Sequence, residues 1–237
     1  MKNFLQKIFN EIKKETINNN YGREISKKDR LYQYLNLVNN KNKSENEMII
    51  KHLLNIVVEH LNYYEAIQTI EGINKGLKNY KIEQIYGNIS IKIDVEPKIT
   101  TVINKENIDI NEIPILIDPW NKDRIINNIL FFNNEDNDFD WNNSNGNIQN
   151  YFIKPMNIII CRGGNHSQFA AKIKNQGITT ITEVRDFSDL YERIRFNGEN
   201  YLDNKGNIIR VECDKDEIFF YSGIIFELGR YLMKEVN

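Results

Sequence analysis

The sequence predicts an α+β fold, a helical region packed on a mixed α/β domain, and three observations carry that prediction. The first eighty residues repeat their apolar side chains at helical spacing, whereas from about residue 86 the pattern alternates with a period of two. A short β-branched run at 156–161 then breaks at Gly163-Gly164 and gives way to helical spacing. The boundary is expected between residues 85 and 86.

In chain order, short helices are expected over residues 3–18 and 28–39. Ser44-Glu45-Asn46-Glu47 has the form of a capping box, in which Ser and Glu satisfy each other's orphan backbone donors. It would open a long buried helix through Met48, Ile49, Leu53, Ile56, Val57, Leu61, Tyr64 and Ile67. The first proline is Pro97, so nothing interrupts these helices. Ile89-Ser90-Ile91-Lys92-Ile93 alternates as a half-buried strand should, and 108–110 and 113–117 extend the β reading. Asp118-Pro119 resembles a helix start, with Asp as cap and Pro at the first helical position, leading into Ile125, Ile126, Ile129 and Leu130. Residues 133–150, rich in Asn, Asp and Gly, read as a long surface loop. A helix from about Asn165 to Gln176, stopped by Gly177, is followed by a strand over 178–184 and a short helix capped by Asp186. A hairpin turn at 204–207 and a final amphipathic helix from Gly223 to Val236 complete the chain.

Composition sets bounds on function. The 237 residues carry 31 Lys+Arg against 33 Asp+Glu, a formal charge of −2, which argues against a protein that coats DNA or membranes. No apolar run is long enough to span a bilayer, so a cytoplasmic protein without membrane attachment is expected. Two cysteines, Cys161 and Cys213, cannot build a disulfide framework or a four-cysteine zinc site. With 37 Asn and 39 Ile but 3 Ala, the composition leans toward residues with A/T-rich codons. An Asn therefore says little here, while Gly163-Gly164 and Ala170-Ala171 run against the bias and say more.

Strand, paired glycines, polar residues and helix form an arrangement suited to anions. Glycines admit a phosphate close to the backbone, and the free N–H groups and dipole of a helix start favour negative charge. Gly163, Gly164, Asn165, His166 and Ser167 would make this phosphate-binding turn, with Arg162 and His166 flanking it as candidate catalytic residues. Neither nucleotide fingerprint, G-x-x-x-x-G-K-[ST] or G-x-G-x-x-G, is present. The plain alternative is a glycine pair that serves strand–helix packing.

The run Cys161-Arg162-Gly163-Gly164-Asn165-His166-Ser167-Gln168-Phe169-Ala170-Ala171 resembles the central motif of the ParB/sulfiredoxin-like fold. Ile117-Asp118-Pro119-Trp120-Asn121-Lys122-Asp123-Arg124 resembles that family's first box, and 177–184 its next strand; together they cover about 86–195. Uncharacterised bacterial and phage proteins with an R-G-G-N-H-S segment are similar as well. The resemblance implies contacts from Gly163, Gly164 and His166 to nucleotide phosphates. Arg124 and Glu183 are secondary candidates, and the cofactor is left open, a nucleotide with Mg²⁺ being one candidate. Asn165 stands where the reductases carry their cysteine, and Ser167 where other members carry arginine, so both the reductive and the hydrolytic chemistry lose a residue.

No metal ligands are assigned. Glu135, Asp136, Asp138 and Asp140 begin like a calcium loop, but Trp141 replaces the required Gly and Asn147 the closing Glu. His52 and His60 lie eight apart on one helix rather than the four a metal pair needs. Three functions compete: an NTP-dependent nuclease or NTPase of a phage, plasmid or defence system; an inactive, protein-binding inhibitor of a bacterial defence nuclease; and a helical DNA-binding module joined to a nucleotide sensor. The expected partners are a nucleotide or nucleic acid, and a protein met through Phe139 and Trp141 of the 133–150 loop.

Overall fold

The computed structural model describes residues 25–38, 42–73, 82–133, 137–143 and 146–234. It has the expected α+β class. The predicted helix at 3–18 lies outside the described residues, as do Glu135 and Asp136. Helices α1 (Lys27–Asn36), α2 (Lys43–Ile70) and α3 (Ile82–Ile93) precede the first strand. Then follow β1 (Lys98–Thr101), β2 (Ile108–Asp109), β3 (Ile115–Leu116), α4 (Lys122–Phe132), β4 (Phe139–Asp140), β5 (Gln149–Lys154), β6 (Ile158–Gly163) and α5 (Asn165–Lys174). The chain continues through β7 (Gly177–Thr179), β8 (Glu183–Asp186), β9 (Ile194–Phe196), β10 (Tyr201–Asp203), β11 (Ile208–Ile209) and α6 (Asp216–Lys234).

The central sheet has the order β1-β8-β5-β6-β3, with β3/β6 and β5/β8 parallel and the other pairs antiparallel. Two small sheets, β11-β10-β9 and β2-β7-β4, flank it. Alternation along β6 divides the core. Ile158 and Ile160 point into one cluster with residues of α1, α2, α3 and α6, while Ile159 and Cys161 point into another with Ile125 of α4 and Phe169 and Ala171 of α5. The N-terminal helices thus share a core with the sheet. Asn62, buried in the middle of α2, donates to the Ile115 carbonyl at 2.9 Å and accepts from the Ile117 N–H at 2.7 Å. Its amide supplies β3 with the pairing that a sheet edge lacks.

Several local expectations are corrected. Residues 89–93 are the end of helix α3, not a strand: Ile82, Ile85, Tyr86 and Ile89 are buried at helical spacing, whereas Ile91 is exposed. The longer period overrides the five-residue alternation, and the helix runs across the expected 85/86 boundary. Ser44 does not cap α2, because Asn42 accepts from the Glu45 N–H two residues earlier. Asp118-Pro119 does not open α4; Asn121 does, accepting from the Arg124 N–H at 3.0 Å. Asn175, at φ +60°, ends α5 before Gly177 is reached. The 178–184 strand splits between two sheets, the short helix after Asp186 is a 3₁₀ turn at Ser188–Leu190, and the last helix starts at Asp216.

Where described, the 133–150 segment is no free loop. Phe139 is buried in β4, and the Trp141 indole donates to Asn107 Oδ1 at 2.8 Å. Phe139 thus belongs to the core, while Trp141 is half-buried and hydrogen-bonded within the chain. The 204–207 hairpin turn joins β10 to β11 as expected, with Gly206 at φ +84°.

Candidate functional site

β6 runs directly into α5 through the glycine pair. Gly164 is the N-cap residue at φ +77°, and no side chain caps the helix start. At this angle an L side chain is strained, and an added Cβ would stand 2.3 Å from Ile148 Cδ1. At Gly163 an added Cβ would lie 2.4 Å from the Asn147 carbonyl oxygen. The glycines therefore let residues 147–149 cross close to the turn, with the Asn147 backbone over Gly163 and the Ile148 side chain over Gly164.

The next three side chains fasten α5 to α4 and to the segment before it. Asn165 Oδ1 accepts from the Asp118 N–H at 3.0 Å, His166 Nε2 accepts from the Asn121 N–H at 3.1 Å, and Ser167 Oγ donates to Asn128 Oδ1 at 3.1 Å. His166 is buried. With Nε2 accepting, the proton of the neutral ring belongs on Nδ1, an assignment drawn from the hydrogen bond. Burial pushes its pKa below the ordinary value, the Arg124 guanidinium pushes the same way, and the Asp118 carboxylate opposes them. A neutral imidazole whose lone pair is already engaged is a fastener in this conformation, not a free base.

Two groups at this place point outward. Trp120 is 56 % exposed, with the His166 ring edge-on at 5.1 Å. Arg124 is exposed, its guanidinium 5.3 Å from the Trp120 ring centroid and without a hydrogen bond among the described residues.

Arg162 and Glu183 belong elsewhere. Alternation along β6 turns Arg162 to the face opposite Cys161, where Nη1 lies 3.7 Å from Glu83 Oε2 of α3. Arg185 pairs with both Glu83 and Glu183 and lies 4.1 Å from the Tyr151 ring centroid. The expected Arg162–His166 pair is thus divided by the sheet: Arg162 and Glu183 join an ion-pair cluster, while Arg124 joins His166.

Sequence reasoning missed the polar hub beneath the turn. Asn150 and Gln168 exchange amide hydrogen bonds at 3.0 Å, Thr179 Oγ1 donates to Gln168 Oε1 at 2.7 Å, and Gln168 Nε2 reaches the Gly163 carbonyl at 3.1 Å. All three side chains are fully buried. Among 37 asparagines, Asn150 carried no signal of its own. No group of His, Cys, Asp or Glu among the described residues could hold a metal. Asp138 instead accepts from Lys174 and Gln176, and His60 packs on Tyr221 at 4.8 Å. No described helix is long and apolar enough to cross a membrane.

The match to known families spans almost the whole chain. The protein belongs to DUF6710, a family of unknown function whose model matches residues 7–237. No curated protein and no solved structure matches it. The DUF6710 match takes in both faces of the sheet, the ion-pair cluster as well as the α4–α5 junction. At that junction two helix starts meet, one of them without a side-chain cap, beside an exposed guanidinium; helix starts of this kind favour negative charge.

Proposed function

We propose that this DUF6710 protein binds a phosphate-bearing ligand, a nucleotide or a nucleic-acid phosphate, at the junction of the α4 and α5 N-termini. The observation that carries the reading is the contrast in capping. α4 spends the Asn121 side chain on its own first turn, whereas α5 begins at a glycine that supplies no acceptor, next to Arg124. An anion would take the place of the missing cap. The two segments that carry the ParB/sulfiredoxin-like resemblance adjoin here through the Asp118–Asn165 and Asn121–His166 bonds, which supports the same reading.

Binding is favoured over nuclease or NTPase chemistry, since His166 has its lone pair engaged and Arg162 lies on the other face. A protein-binding, inactive role is the second reading, favoured by Ile126 and Leu130, which are exposed one turn apart on α4. Calorimetry and thermal shift with inorganic phosphate, pyrophosphate and NTPs, with and without Mg²⁺, separate the two. Phosphate should raise the melting temperature by mass action. Arg124→Ala should weaken binding by about tenfold or more, the range of a charge-assisted hydrogen bond. No shift with any of these anions would sink the anion reading and leave the protein-binding one.

A further inference from the structure

We infer that Trp120 is a stacking platform for the base of a nucleotide, so that the junction selects nucleotides over phosphate or phosphosugars. The inference rests on the anion reading above and specifies its ligand. Tryptophan is among the more buried residue types on average, yet Trp120 keeps 56 % of its surface exposed. Looseness of the segment does not account for this exposure. The chain is hydrogen-bonded on both sides of the indole, at the Asp118 N–H by Asn165 and at the Asn121 N–H by His166, and Pro119 restricts φ between them. The His166 ring props the indole edge-on at 5.1 Å and 72°, and Arg124 stands 5.3 Å from its centroid.

A large aromatic outside the core, with its flanking backbone hydrogen-bonded on both sides and its ring against His166 and Arg124, is pre-organised, and stacking on it forfeits little conformational freedom. A nucleobase fits this chemistry better than a sugar alone, because every base offers a flat π-face to an indole whatever its hydrogen-bonding edge. Arg124 touches the indole and is the candidate phosphate contact, so one residue links the two halves of such a ligand. No base-edge donors or acceptors need be invoked, and selectivity among bases should follow stacking area, with purines ahead.

The full chain is titrated with inorganic phosphate, ribose 5-phosphate, AMP and the single-stranded trinucleotide pApApA, using calorimetry and tryptophan fluorescence. AMP should bind about tenfold to a hundredfold tighter than ribose 5-phosphate, the range measured for one base–aromatic stack, and should quench emission. Trp120→Ala should bring AMP down to the ribose 5-phosphate level and abolish the quench while phosphate binding stays unchanged. Trp120→Phe should keep most of the preference. The other tryptophan, Trp141, is tied to Asn107 and should not contribute to the quench. Tighter binding of pApApA than of AMP assigns the ligand to single-stranded nucleic acid, and equal binding assigns it to the mononucleotide; both support the platform. Equal affinity for AMP and ribose 5-phosphate overturns it while leaving the phosphate site standing. So does a Trp120→Ala variant that loses phosphate and AMP in the same proportion, since the residue would then only shape the loop. If phosphate itself does not bind, the anion reading fails and the inference falls with it.

Discussion

Two faces of one strand end treat charge in opposite ways. On the side reached by Arg162, each charge is closed onto another: Glu83 meets Arg162 and Arg185, and Arg185 also meets Glu183 above the Tyr151 ring. At the α4–α5 junction, the buried side chains of Asn165 and His166 are neutral and hydrogen-bonded, and the Arg124 guanidinium stays at the surface. Desolvation accounts for the difference, because a buried charge must be matched within the chain and an exposed one need not be. The matched face holds the fold together. At the junction, the Arg124 guanidinium has no hydrogen bond among the described residues.

The largest effect expected from breaking this contrast is at Glu83. Glu83→Gln leaves Arg162 partly buried without its counter-charge and Arg185 with Glu183 alone, and should lower unfolding free energy by about 3 kcal/mol. Arg162→Met should lower it by only about 1 kcal/mol, because the contact is 3.7 Å long and the side chain is about a third exposed. Urea unfolding measures both. The Arg162 variant should also bind phosphate as the unaltered protein does, and a lost phosphate response would join the two faces into one site.

The hub beneath the glycine turn comes next. Gln168→Leu leaves Asn150 and Thr179 buried without their shared partner and should lower stability by about 2 kcal/mol in the same measurement. A change below about 0.5 kcal/mol would mean that the hub does not hold the turn.

The strand–glycine–helix unit was legible because its signals are local. Four β-branched or apolar positions, a glycine pair rare for this composition and an alanine pair on the helix face all fall within fifteen residues. What failed were short windows with long-range answers. Ile89 to Ile93 satisfies a strand for five residues, but the i, i+3, i+4, i+7 set beginning at Ile82 buries against the core and wins. Three helix ends were misplaced because asparagines cap them, and the asparagine excess hides every such cap. The site was half legible for a similar reason. Nearness in sequence put Arg162 beside His166, but strand alternation separates them, and the guanidinium that joins His166 comes from the first turn of α4.

The smallest expected effect is the most specific to the His166 face. Burial and Arg124 hold the folded pKa of His166 below the ordinary histidine value of about 6.5. Between the folded and unfolded values the unfolded chain binds more protons, so stability rises with pH through that window. The contribution is complete above about pH 6.5 and is lost as pH falls through the lowered folded value. The structural cause is direct: a protonated Nε2 would turn a donor toward the Asn121 N–H, which already donates to that nitrogen. His166→Gln can keep an acceptor facing Asn121 without titrating. The stability gap between the unaltered protein and His166→Gln, followed by urea unfolding from pH 8 to 5, should therefore narrow or reverse toward acid. Its slope cannot exceed about 1.4 kcal/mol per pH unit, the limit for one proton. A gap that stays constant across that range would show that the Asn121–His166 bond does not form as described. The junction would then lose the neutral fastener that distinguishes it from the ion-paired face.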